Sequence, residues 1–127
     1  MQLLLVFSFV FFGLGSFAHD SWRAQKSAKE IEPPYTANKI SVQNGQSLYS
    51  SLCWACRGKN ENDDNPVANK LKPKPKDFSS TGRQKQTDKE LFWKLSNNKE
   101  VIVPYKCSLN RERRWQLINC IRTFSLN

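Results

Sequence analysis

Two cysteines close together carry the clearest chemistry in this sequence. Cys53 and Cys56 stand in the run Cys-Trp-Ala-Cys-Arg-Gly, and apolar residues before them recur at helical spacing. Two sulfurs at this spacing, late in a helix, can each form a thioether with a vinyl group of a porphyrin. A porphyrin attached in this way also needs a ligand for its iron, so the residue beside the cysteines matters as much as the sulfurs do.

That neighbouring residue is unsuited to iron. A c-type haem attachment motif, C-x-x-C-H, has histidine after the second cysteine, and this chain has Arg57 there. A guanidinium stays protonated at any relevant pH and has no free lone pair, so Arg57 cannot bind iron as a neutral imidazole does. The single histidine of the chain, His19, is far from the motif in sequence. The motif therefore predicts haem c, if any cofactor, held through Cys53 and Cys56 with the proximal ligand lost.

Other interpretations of the cysteines stay open at this stage. The C-x-x-C pair could act as a thiol–disulfide pair if a lowered thiol pKa made it reactive. A zinc site would need Cys107 and Cys120 as well, and these two lack the short spacing of known zinc modules. Without such a site, we expect Cys107 to be an exposed thiol and Cys120 a small core residue.

The first eighteen residues form an apolar stretch that ends in Ser16-Phe17-Ala18, a small-x-small cleavage pattern. Residues 1–18 are therefore predicted to be a secretory signal peptide. The alternative is an uncleaved membrane anchor, although the stretch is short for a span and no lysine or arginine precedes it. Either way we expect an exported protein, periplasmic or attached to the outer side of a membrane.

The chain is strongly basic, with 20 lysines and arginines, 11 acidic residues and a net charge of +9. Such a surface suits an acidic redox protein or an anionic membrane surface as a partner. Nucleic acid is not expected, because the chain is exported and carries no recognisable nucleic-acid-binding motif. We expect a monomer without enzymatic activity.

The apolar spacing predicts a first and a last helix that cross. The first covers residues 41–56 and contains Gly45, which costs about 1 kcal/mol in a helix and is tolerable where another helix must approach closely. The last begins after Asn110, a good N-cap residue. Its apolar stripe is predicted to lie against Gly45 and to fill the gap there. The stripe consists of Leu117, Cys120, Ile121 and Phe124.

A shorter helix and two loops are predicted between them. Thr87 and Glu90 form a capping box that begins a helix, and Asn97 and Asn98 end it. The buried side of that helix is predicted to be Leu91, Phe92 and Leu95. Residues 59–75 are predicted to be a long loop, 100–106 an extended loop because of Pro104, and 19–39 an extended arm. Phe78 is expected to return to the core.

Taken together, these stretches resemble a class I cytochrome c domain of a bacterial, exported type over residues 39–124. The residues that carry the resemblance lie in family order and at family spacing. They are Gly45, Leu48-Tyr49, Cys53, Cys56 and Gly58, Lys74-Pro75 with Asp77-Phe78, Thr87-Asp88 with Glu90 to Lys94, Pro104-Tyr105, and Trp115 to Asn119 with Ile121-Arg122.

The resemblance implies a small all-α fold over residues 40–125, with N- and C-terminal helices crossing and long loops around a haem crevice. It also implies descent from a haem-based single-electron carrier. The family's proximal histidine aligns with Arg57, and its distal methionine aligns with Ile102, or with Val103 if Pro104 follows the ligand. Neither is a sulfur ligand, because Met1 is the only methionine.

Two functional hypotheses follow from these departures. In the first, ordinary electron transfer is lost or impaired because the iron has no axial ligands. In the second, haem stays attached to the cysteines with open or substitute coordination, for example by Lys99 or Lys106, and acts in electron transfer or small-ligand binding. Loss of the haem would leave a large apolar cavity at a cost in stability, so a domain without haem must collapse that space, fill it with another ligand or stay partly molten. Trp54 is a candidate to fill part of the space.

Overall fold

The computed structural model describes residues 22–58, 66–72, 77–97 and 104–126. Within these ranges the fold is all-α, as predicted, with no strand. No described helix is both long and apolar enough to cross a membrane. The predicted signal segment, His19 and Ile102 lie outside the described residues. The α-helices are α1 (Lys39–Leu52), α2 (Trp54–Arg57), α3 (Pro66–Lys70), α4 (Thr81–Gln84), α5 (Asp88–Asn97) and α6 (Arg111–Thr123).

Helix α1 begins with a reciprocal cap. The Asn38 side-chain oxygen accepts a hydrogen bond from the Ser41 amide at 2.9 Å, and the Ser41 hydroxyl oxygen accepts one from the Asn38 amide at 3.0 Å. Two backbone amides that lack a partner within the helix are thereby satisfied. The helix therefore starts at Lys39, slightly earlier than the apolar spacing predicts.

The predicted helix over 41–56 is interrupted at Cys53. Helix α1 ends at Leu52, and the single turn of α2 follows as Trp54–Arg57. Gly58 ends α2 with a φ of 76°, a value that glycine adopts without steric cost. The Tyr49 hydroxyl donates to the Gly58 carbonyl at 3.2 Å and so ties α2 back onto α1.

Helices α1 and α6 cross at Gly45, as predicted. A Cβ atom at this glycine would lie 2.0 Å from the Gln116 carbonyl oxygen and 2.8 Å from the Cys120 Cβ. The gap left by the glycine is therefore filled mainly by the backbone of α6, and not by its side chains as expected. This close contact fixes where the two helices meet.

Helix α6 supplies more buried hydrophobic residues than any other described helix. The Asn110 side-chain oxygen accepts a hydrogen bond from the Arg113 amide at 2.9 Å, which confirms the predicted N-cap. Trp115 stacks on Phe92 of α5, with ring centroids 4.2 Å apart and planes inclined by 15°. The predicted apolar stripe is buried in full. Its members are Leu117, Cys120, Ile121 and Phe124.

Helix α5 has the predicted cap and termination. The Thr87 amide donates to the Glu90 carboxylate at 2.7 Å, and the Glu90 amide donates to the Thr87 hydroxyl at 3.2 Å. Leu91 and Phe92 are buried, and Leu95 packs against the core. The helix ends at Asn97, while Asn98 is outside the described residues.

The segment before α1 packs along α5. It contains a short 3₁₀ helix, Lys26–Glu30, that the sequence pattern did not predict. Ala28 is buried there, and the Lys89 ammonium group donates to the Lys29 carbonyl at 3.0 Å. Farther upstream, the Trp22 ring lies 6.3 Å from the Trp93 ring. The N-terminal segment is thus part of the packed domain.

Two short helices lie in stretches where none was predicted. Helix α3 interrupts the predicted loop 59–75 and buries Ala68 completely, so the prediction of an uninterrupted loop was wrong. Helix α4 lies between Phe78 and α5. Within the predicted extended loop 100–106, the chain forms a 3₁₀ turn over Tyr105–Cys107 after Pro104. Residues 100–103 of that loop are outside the described part.

Candidate functional site

An apolar cavity of about 210 Å³ lies where α1, α2, α5 and α6 converge. Its lining includes residues from the ends of α1 and α2 and from α5 and α6. Thirteen described residues line it. They are Trp22, Leu52, Cys53, Cys56, Arg57, Phe78, Arg83, Leu91, Lys94, Leu95, Tyr105, Ile118 and Ile121.

The structure places both predicted sulfurs on this cavity. Cys53 lies at the interruption between α1 and α2, Cys56 lies in the single turn of α2, and both line the cavity. Cys53 is buried, Cys56 is half-buried, and both are free thiols. Two sulfurs that face one apolar space are what a pair of thioether bonds would need.

Burial raises the pKa of the Cys53 thiol from 9.0 to about 11, because the apolar surroundings disfavour a thiolate. The nearby Arg57 charge and a hydrogen bond with Tyr105 lower the pKa but do not offset the loss of hydration. The thiol is therefore neutral at physiological pH. The thiol–disulfide hypothesis requires a lowered thiol pKa. That prediction was wrong for Cys53, because its pKa is raised.

Tyr105 lines the cavity next to Cys53. Its hydroxyl donates to the Leu52 carbonyl at 3.4 Å and also interacts with the Cys53 thiol. Burial, together with the neighbouring thiol, raises the pKa of Tyr105 to about 12. A tyrosinate can bind haem iron, but the raised pKa keeps Tyr105 as a neutral phenol.

Arg57, the residue after Cys56, lines the cavity. Its guanidinium carbon lies 4.3 Å from the centroid of the Phe78 ring, within the range of a cation–π contact. The predicted return of Phe78 to the core is confirmed, since this ring packs against the core cluster. Arg57 therefore contributes a positive charge to the cavity and no lone pair.

Two further cations reach the cavity, Arg83 from α4 and Lys94 from α5. The Lys94 ammonium donates to the Gln86 side-chain oxygen at 2.6 Å and lies 5.5 Å from the centroid of the Trp22 ring. Lys106, a suggested substitute iron ligand, is exposed, is absent from the cavity wall and donates to the Asn97 side chain at 2.9 Å. Lys99 and Val103 lie outside the described residues.

The remaining predictions for single residues have mixed outcomes. Cys107 is exposed and Cys120 is buried, which confirms the expectation for both. Across the described ranges, which include all four cysteines, no three histidine, cysteine or acidic residues come together as a metal site. Trp54 is 41% exposed and does not line the cavity, so the expectation that it fills the space was wrong.

Sequence reasoning missed three contributors to the cavity. Lys94 could have been found, because it lies one turn from Leu91 on the same face of α5. Trp22 and Arg83 carried no periodic signal, since each belongs to a short or irregular segment. Their position depends on how those segments pack, which only the folded chain shows.

Comparison of the chain with protein-family models and with curated proteins gave no match. The fit of a haem group therefore has to be judged from the residues themselves. Cys53 and Cys56 fit the two thioether bonds. The iron does not fit, because the described lining residues include no histidine or methionine, and Arg57 stands where a ligand is needed.

Proposed function

We propose that this chain is an exported cytochrome c-like protein, descended from a haem-based single-electron carrier, in which ordinary electron transfer is lost or impaired. The proposal rests on one observation above all. Arg57, adjacent to the cysteine pair, lines the cavity with its guanidinium against Phe78. This position needs a lone pair for iron and instead has a permanent cation.

The arrangement of helices supports the cytochrome-like part of the proposal. Helix α1 leads into the cysteine pair, α6 crosses α1 at Gly45, and Tyr105 lies beside Cys53. This is the chain order and packing that a class I cytochrome c domain implies. Ile102, at the proposed distal position, offers no donor atom by its chemistry.

The alternative function keeps haem c on Cys53 and Cys56 with open or substitute coordination. It is favoured by the two cysteines that line one cavity. Against it, an Arg57 charge close to the iron would be repelled by the metal and costly to desolvate. Export remains part of the proposal because of the apolar stretch over residues 1–18, and docking to an acidic redox protein or an anionic membrane surface because of the net charge of +9.

The experiment replaces Arg57 with histidine and with glutamine in protein exported alongside haem-attachment machinery. Arg57→His restores a neutral donor, whereas Arg57→Gln removes the charge without adding one. We expect covalent haem, measured by mass and by the Soret band, to rise at least tenfold in Arg57→His and to stay at the unmodified level in Arg57→Gln. Equal haem content in all three proteins would contradict the role given to this position.

A further inference from the structure

We infer that Cys53 and Cys56 together bind one soft monovalent metal ion, Cu(I), in the apolar cavity that both of them line. The inference rests on the proposed function, because thioether bonds to a haem would use the same two sulfurs. It gives the cysteine pair a binding activity that does not depend on the lost iron ligands.

The two cysteines lie one helical turn apart. The Cys56 amide donates to the Cys53 carbonyl at 3.2 Å, and the Arg57 amide donates to the same carbonyl at 2.9 Å. Residues three apart in such a turn are neighbours, with Cβ atoms about 5 to 6 Å apart. A zinc–thiolate bond is about 2.3 Å long, so two sulfurs bound to one ion of similar size lie at most about 4.6 Å apart. Rotation about the Cα–Cβ bonds can bring the two sulfurs to that distance.

The donor set and its surroundings favour Cu(I) over other ions. Thiolates are soft ligands, which select ions such as Cu(I) and zinc. Zinc usually takes four ligands, and the described part of the chain brings no three histidine, cysteine or acidic residues together. Cu(I) is satisfied by two thiolates. The cavity is also lined by apolar side chains, Leu52, Phe78 and Ile121 among them, which limit the access of water to a bound ion.

Binding exchanges two protons for the metal ion. Each cysteine loses its S–H proton to solvent, two Cu–S bonds form, and no atom is oxidised or reduced. The bound pair then carries a single negative charge. The Arg57 guanidinium and a hydrogen bond from Tyr105 favour that charge, since both lower the pKa of the Cys53 thiol. Burial raises this pKa to about 11, but a coordinating thiol is deprotonated by the metal itself.

The test is an anaerobic titration of the reduced, full exported protein with Cu(I), in competition with the coloured chelator bicinchoninate. We expect one Cu(I) per chain, with two sulfur neighbours in its X-ray absorption spectrum. Cys53→Ser and Cys56→Ser should each weaken Cu(I) binding at least tenfold, because each removes one of the two thiolates. Cys107→Ser is the matched control, since Cys107 is exposed and does not line the cavity, and it should leave the affinity unchanged.

Circular dichroism and a urea midpoint for each variant separate loss of binding from loss of folding. If a serine variant fails to fold, the unmodified protein still decides, because bound copper without two sulfur neighbours overturns the inference. Cu(I) binding that Cys53→Ser and Cys56→Ser leave unchanged would overturn it as well. An optical spectrum of the same sample separates the two proposals. Stoichiometric haem overturns both, whereas a haem-free protein that cannot compete with the chelator for Cu(I) overturns only this one.

Discussion

At the scale of single residues, burial and a neighbouring charge have opposite effects on the pKa of Cys53. A neighbouring arginine ordinarily favours a thiolate, and Arg57 does act in that direction. Burial outweighs it, and the pKa of the thiol rises to about 11. Cys53 is therefore a neutral, buried thiol. The sequence shows that Arg57 is close to it, but it does not show that folding removes the thiol from water.

This pKa makes folding stability depend on alkaline pH. The unfolded chain releases the Cys53 proton near pH 9, whereas the folded chain keeps it until about pH 11. The stabilisation is therefore fully present below pH 9 and is lost as the pH rises toward 11, by up to about 2 to 3 kcal/mol. Urea unfolding at pH 8 and at pH 10.5 measures it, and Cys53→Ala should lose less stability between the two than the parent protein.

Cys107→Ala is the matched control, since Cys107 is exposed. It should keep the pH dependence of the parent protein. A Cys53→Ala protein with the same dependence as Cys107→Ala would show that the Cys53 thiol is not desolvated in the fold.

At the scale of elements, the crossing of α1 and α6 at Gly45 determines how closely these helices pack. The glycine was identifiable from sequence, because its place inside an apolar helix is costly without a close neighbour. The caps at Thr87 and Asn110 were identifiable for a similar reason, since each lies just before a periodic stretch. Helix α3 was not, because it is only five residues long, shows no period and, among residues 67–70, buries only Ala68.

Gly45→Ala should destabilise the protein by about 2 to 3 kcal/mol, the upper part of the range for overpacked sites. Its Cβ would lie 2.0 Å from the Gln116 carbonyl, a backbone atom that cannot turn aside as a side chain can. Gly82→Ala in α4 is the control, since a Cβ there meets nothing within 4 Å. The control should gain at most about 1 kcal/mol. Equal urea midpoints for both variants would refute the close crossing.

At the scale of the whole molecule, the cavity is assembled from segments far apart in the chain. Trp22 precedes α1, Arg83 belongs to α4, and Ile118 belongs to α6. Sequence patterns predicted the cysteine pair and the helical faces, since those depend on local spacing. They could not predict the cations from α4 and α5 converging on one space, since that depends on how the short helices pack. The proposed loss of iron ligation rests both on the local sequence around the cysteine pair and on the packing that makes Arg57 line the cavity.

The most direct measurement is the absorption spectrum, with an intact mass, of the unmodified protein exported alongside haem-attachment machinery. If Arg57 has ended iron ligation, the sample will carry well below one haem per chain and no low-spin bands on reduction. One covalent haem per chain, fully reducible and with a six-coordinate low-spin spectrum, would contradict the account.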